Sequence, residues 1–164
     1  MALIGLLSDT HGMLHPRLSE FFKPCREIWH AGDIGKLQIL EQLEAFKPTR
    51  AVYGNIDGQD IRIRTQESLL FMHEGVKVLM IHIGGYPGRY SGKARELIQR
   101  ERPDLFISGH SHILKVMPDK KYGLLHINPG AAGRFGFQKV SSLMRINITA
   151  GKVADVEVIE LTKW

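Results

Sequence analysis

Cysteine is nearly missing: Cys25 stands alone among 164 residues. An internal disulfide is therefore excluded, no thiolate pair is on hand for a metal, and a reducing compartment is the natural setting. Long apolar runs are missing too. None approaches the roughly 20 residues of a membrane span, and residues 1–7 lack both the positive n-region and the length of a signal peptide. The expected address is the cytoplasm, with no membrane partner. Linkers, internal repeats and low-complexity tracts are absent, so residues 1–164 are expected to form one domain. Basic residues outnumber acidic ones, 22 to 17, for a formal net charge of +5, but the two signs are interleaved. With no basic groove lined by aromatics, nucleic acid is not an expected partner. A modest attraction for anionic substrates is.

What the chain does have is 43% hydrophobic residues, enough for a real core, and 17 glycines that punctuate strand ends and turns. Residues 3–7 read as a short buried strand. Pro16 suits the first position of a helix with Leu18, Phe21 and Phe22 facing inward, ended by Pro24. A strand over 27–30 follows, then a helix over about 36–46 with Leu37, Ile39, Leu40 and Leu43 as its apolar stripe, then a strand over 50–53. That alternation favours a parallel sheet with helices on its faces. Residues 67–73 and 76–81 flank Glu74-Gly75 as a hairpin. A loop carries Pro87 to Tyr90, Ser91 caps a helix running to about residue 102, and Pro103 breaks it. Residues 105–107 form another buried strand. Later strands near 115–117, 124–127, 140–148 and 153–161 look antiparallel. The sum is an α/β protein of two mixed sheets packed face to face, with helices outside.

Chemistry gathers where these strands end. Asp9, His11, Asp33, Asn55, His82, His110 and His112 all fall at or just beyond strand carboxyl ends, where open α/β folds place their sites. In extended chain, residues i and i+2 point to the same side, so Asp9 with His11, and His110 with His112, can each grip one object. Gly12 then allows a tight turn where a side chain would obstruct that object. An oxygen and nitrogen donor set without thiolate suits a pair of first-row divalent cations and argues against calcium.

Asp9-x-His11, Gly32-Asp33, Gly54-Asn55, His82 with Gly84-Gly85, and Gly109-His110-Ser111-His112 together resemble the five motifs of the calcineurin-like metallophosphoesterases. Asn128-Pro129-Gly130 is similar to their small, single-domain bacterial and archaeal phosphodiesterase branch. The resemblance implies a four-layer αββα sandwich. It also implies two divalent cations: one held by Asp9, His11, Asp33 and His112, the other by Asp33, Asn55, His82 and His110, with Asp33 bridging. Manganese is the first choice, with iron, nickel or zinc as alternatives. In such a site a metal-bridging hydroxide attacks phosphorus in line, while Asn55, His82 and His110 stabilise the charge gathering on the phosphoryl oxygens. A small phosphorylated substrate, foremost a phosphodiester, is the implied partner, and a homo-oligomer is plausible from the family.

One position departs from the pattern. Many members follow the Asn with a His that serves the leaving group, whereas here Ile56 stands in that place. A missing general acid forfeits about 10²–10⁴-fold on a poor leaving group, so diesters and activated aryl esters are expected to outrun alkyl monoesters. Asp57 reads as a turn or cap residue first and as a substitute acid second. Tyr86 and Arg89 are candidates for the pocket rim, Arg89 as a phosphate partner. His30 is a candidate support for the ligands, while His15, His73 and His126 read as structural or exposed, and Lys120-Lys121 beside Asp119 as a charged turn. Arg134 and Lys139 bracket a loop free to touch substrate or a neighbouring subunit. The alternative to an enzyme is a binding module, as in the protein-sorting subunits that resemble this branch. Their ligand set drifts, whereas here it is complete.

Overall fold

A computed structural model describes residues 2–164. The first half alternates as expected: β1 (Ala2–Leu7), α1 (Leu18–Phe22), β2 (Glu27–His30), α2 (Leu37–Phe46) and β3 (Thr49–Ala51). A short helix that the sequence did not announce, α3 (Gln59–Arg62), precedes the hairpin of β4 (Ser68–His73) and β5 (Val76–Ile81). Both turn residues of that hairpin, Glu74 and Gly75, have positive φ, the backbone twist a two-residue hairpin turn requires. The segment read as a loop is a second hairpin, β6 (Gly85–Tyr86) and β7 (Arg89–Tyr90), with Pro87-Gly88 as its turn. Then come α4 (Gly92–Glu101), β8 (Leu105–Ile107), β9 (Lys115–Asp119), β10 (Leu124–Asn128), β11 (Val140–Thr149) and β12 (Lys152–Thr162). Ser91 caps α4 as predicted, its hydroxyl accepting from the Ala94 N–H at 3.2 Å.

Two five-stranded sheets result, ordered β12-β11-β1-β2-β3 and β4-β5-β8-β10-β9. Both are mixed. β1, β2 and β3 run parallel, with β11 antiparallel to β1. In the other sheet β5, β8 and β10 run parallel, so β10 is antiparallel only to its neighbour β9 and not throughout, as its sequence neighbourhood suggested.

Strand alternation sorts the apolar residues into three cores. Ile4, Leu6, Val78, Met80, Leu105, Ile107, Met144 and Ile146 meet between the sheets. Leu7, Ile28 and Leu143 turn the other way onto Phe22, Leu40, Leu43 and Ile61 of the helices. On the far face, Leu79, Ile81 and Phe106 cover Ala94 and Ile98 of α4. Three interfaces between four layers make the αββα sandwich. No helix among the described residues is long and apolar enough to cross a membrane.

Candidate metal centre

Because β1, β2 and β3 are parallel in one sheet and β5 and β8 in the other, their carboxyl ends meet at one edge of the sandwich. Backbone hydrogen bonds lace the loops that leave them. Asp9 N–H donates to Gly32 O (2.9 Å), His11 N–H to Asp33 O (3.0 Å), and Gly109 N–H to His82 O (3.0 Å). The two sheets are joined across the site by the His110 N–H, which donates to Asp9 Oδ2 at 3.2 Å.

The side chains fall into two groups whose ligand atoms lie within 4.8 Å of one another, Asp9 with His11 and His112, and Asp33 with His82 and His110. Asp33 faces both: its Oδ1 is 3.2 Å from His82 Nε2, and its Oδ2 is 3.6 Å from His11 Nε2. Asp9 Oδ2 is occupied by the Ser8 hydroxyl at 2.7 Å, whereas Asp9 Oδ1 is left between His112 (3.2 Å), His11 (3.7 Å) and His82 (3.8 Å). Asp9 Oδ1, His11 Nε2 and His82 Nε2 are buried without a hydrogen-bond partner. Three such atoms turned toward one small space are costly unless something cationic sits among them, and a mixed oxygen and imidazole set fits divalent transition metals. Asn55 stands exposed at the rim, lining with His82 a cleft of about 410 Å³.

The geometry that makes the side chains converge is not the extended chain expected from the i, i+2 spacing. Asp9, His11, Asp33, His110 and His112 all have φ between 48° and 69°, a left-handed conformation uncommon for residues with a Cβ and concentrated at functional sites. Each pair therefore sits on a tight turn beyond its strand. Gly12 also has positive φ, but a Cβ there would press on the aliphatic chain of Lys36, at 3.1 Å, rather than on the site. Gly54 matters more directly, since a Cβ there would lie 2.0 Å from Asp33 Oδ1.

Neighbouring groups choose the imidazole tautomers. His82 Nδ1 lies 2.8 Å from Ala31 O, an acceptor only, so Nδ1 carries the proton and Nε2 offers its lone pair to the site. His112 is set the same way by Gln138 Oε1 at 2.9 Å. The Gln138 amide is oriented in turn by donating from its nitrogen to Phe135 O at 2.8 Å. The Phe137 ring lies nearly parallel to that of His112. Gln138 escaped sequence reading because it is 26 residues from its partner. The only hint was the loop between Arg134 and Lys139. His30 supports the site without facing it. Its Nδ1 accepts from Gly32 N–H and its Nε2 meets Thr10 Oγ1 at 2.9 Å, while burial pushes its pKa down to about 4 and keeps it neutral.

Burial opposes charge on Asp9 and Asp33, yet the surrounding imidazoles prevail and both carboxyls are held below the usual range, Asp9 by His11 and His112 and Asp33 by His82. Burial also opposes protonation of His82, and Asp33 overrides it, so the His82 pKa is raised. That of His112 is raised by the Asp9 carboxylate beside it. A cation that neutralises the carboxylates favours the unprotonated imidazoles.

The other sequence candidates have definite places. Asp57 is a buried anchor, accepting the N–H groups of Ile34 (3.1 Å), Gly35 (2.8 Å) and Gly54 (2.8 Å) and so tying the Asp33 turn to the Asn55 turn. Ile56 is exposed, its N–H donating to Asp33 Oδ1 at 3.1 Å. Asn128 fastens the His110–His112 turn by donating to Gly109 O and Ser111 Oγ. Asp119 is buried and takes the Tyr90 hydroxyl at 2.7 Å, more than a charged turn requires. Tyr86 and Arg89 line a second cleft, of about 270 Å³, together with His110. Arg134 is turned to the chain end, donating to Trp164 O.

A four-layer αββα sandwich with two sets of oxygen and imidazole donors along one edge is the architecture of a metallophosphoesterase. The model for the calcineurin-like phosphoesterase superfamily domain matches residues 2–151, and the chain belongs to that superfamily. It is 35% identical over 138 residues to a probable metallophosphoesterase of Methanothermobacter thermautotrophicus, covering 79% of this chain and 76% of that protein. Among solved structures it is similar to an archaeal phosphodiesterase (TM-score 0.73, 22% identity, 97% of this chain and 99% of that one). It is equally similar to wild-type Vps29 of Entamoeba histolytica in complex with Zn²⁺ (TM-score 0.73, 17% identity, 98% of each chain). Both structural likenesses are likenesses of fold.

Proposed function

We propose that the protein is a cytoplasmic phosphodiesterase dependent on two divalent cations. Asp9, His11, Asp33 and His112 would hold one, and Asp33, Asn55, His82 and His110 the other. The observation that carries this reading is the trio of buried, partnerless atoms, Asp9 Oδ1, His11 Nε2 and His82 Nε2, set beside an Asp33 carboxylate with one oxygen toward each group. When bound, the cations supply Lewis acidity toward phosphoryl oxygens and make water nucleophilic near neutral pH. Manganese is the leading choice, with iron, nickel or zinc as competitors.

The chain's own groups do the rest. Asp9 and Asp33 bring the negative charge that balances the cations, and the fixed tautomers of His82 and His112 keep a lone pair on the site. Asn55 and His110, both exposed at the edge, would stabilise the nonbridging oxygens of an incoming phosphoryl group. At the position where a leaving group would need a proton, Ile56 offers none, which favours leaving groups that depart without one. A scaffold role for the same fold would not need this donor set intact.

Metal analysis of the purified protein, with turnover of an aryl phosphodiester and an alkyl phosphomonoester in added Mn²⁺, tests the reading. Two equivalents of metal and a diester rate at least about 10²-fold above the monoester rate are expected. Equal rates would overturn the diester preference, and a protein that takes up no metal would overturn the whole.

A further inference from the structure

The cleft of about 270 Å³ beside His110 differs in charge from its larger neighbour. Its lining contains no aspartate or glutamate, yet it includes Arg89 and Lys115. Tyr86 and Arg89 face each other across the β6–β7 hairpin, and Lys115 Nζ sits 3.8 Å above the Tyr86 ring. Lys115 thus lies on the Tyr86 ring, and Arg89 lines the same cleft from the paired strand. Neither forms an ion pair with a carboxylate among the described residues. The acid at the other end of β9, Asp119, is taken up by the Tyr90 hydroxyl and the Lys121 N–H.

The cleft of about 410 Å³ beside Asn55 and His82 also contains cations, but they are spent. Lys93 pairs with Glu67, and Arg62 donates to Asp57 O at 2.7 Å while its guanidinium lies over the Tyr53 ring. Ile83 and Ser91 border both clefts. The two therefore adjoin, each reaching one histidine of the Asp33 group.

We propose that the smaller cleft is a subsite for one arm of the substrate, and that the arm it selects carries an oxyanion of its own. This rests on the phosphodiesterase reading, which requires two organic arms on phosphorus. Ile83, Ile113 and the Tyr86 ring give the arm an apolar bed, and Arg89 with Lys115 receives the charge. A guanidinium fork and an ammonium without counter-charges together favour an anion over a neutral group of the same shape by about tenfold in a partly exposed setting. The substrate class is thus a phosphodiester with a further phosphate or carboxylate on one side and a neutral group on the other.

The test uses three p-nitrophenyl phosphodiesters that differ only in the second arm: 4-carbamoylphenyl, 4-carboxyphenyl and 4-phosphonophenyl. The intact metal-loaded protein is expected to show kcat/KM about tenfold higher for the carboxylate than for its neutral isostere, carried by KM. The phosphonate separates phosphate from carboxylate as the natural group. In Lys115→Met and Arg89→Gln the ratio between charged and neutral esters is expected to fall toward one. A ratio of one in the wild type, or a preference that survives both substitutions, would overturn the subsite. If no ester is hydrolysed, the phosphodiesterase reading fails and binding decides the cleft. NMR shift changes at Tyr86 and Lys115 of the metal-free protein with the charged esters alone would support it, and equal or absent changes would overturn it.

Discussion

Replacing Asp57 gives a sharp test of how the site is held. Its carboxylate divides its work unevenly: Oδ1 accepts from Gly35, while Oδ2 accepts from both Ile34 and Gly54. Ile34 and Gly54 are buried, whereas Gly35 is half-buried and can turn to water. Asp57→Ala therefore orphans two buried N–H groups. At about 1.5–3 kcal/mol for each hydrogen bond to a charged acceptor, the loss should be about 3–6 kcal/mol. Asp57→Asn keeps its shape, and the better orientation leaves oxygen toward Ile34 and Gly54 and turns the amide nitrogen against Gly35. That loses one bond and weakens two, for about 2–3 kcal/mol. Against a total stability of roughly 5–15 kcal/mol, both are visible in urea unfolding. Loss of less than about 1 kcal/mol in Asp57→Ala, or equal losses in the two variants, would refute the reasoning. A carboxylate with both oxygens committed to backbone N–H groups is also poorly placed to protonate a leaving group.

Gln138→Leu removes the acceptor that sets the His112 tautomer, and metal affinity measured by calorimetry should fall about 10–100-fold. Gln138→Glu, which keeps an oxygen toward Nδ1, should recover most of it, and unchanged affinity in Gln138→Leu would show that the ring needs no such partner. Acid stability should report His126, whose pKa burial pushes down from 6.5 to about 4. The unfolded histidine takes up a proton below 6.5 that the folded one refuses, so stability is full above pH 6.5 and declines as pH falls toward 4, by about 3 kcal/mol from this group. In His126→Leu that contribution is absent. The gap in unfolding free energy between the variant and the wild type should change across the window, and parallel curves would contradict the assignment.

Much was legible along the chain because it is local. Apolar runs bounded by Gly and Pro mark β1, β2, β5 and β8. Ser91 and Pro103 bracket α4, and donor residue types at strand ends mark the site, since each signal needs only a few neighbouring residues. Short elements left little trace: the four residues of α3 carry too little periodicity to register, and the Pro87-Gly88 hairpin reads equally as loop.

What only tertiary structure decided is how distant pieces meet. The sequence by itself determined which residue types stand at the strand ends and that they suit a metal. Assembly of the two sheets set Asp9 against His110 across 101 positions, forced five site residues into left-handed backbone, and brought Gln138 behind His112. It also left Lys115 and Arg89 lining one cleft without an acid. Such contacts arise from packing across the sheets, and packing between residues far apart in the chain has no period to read.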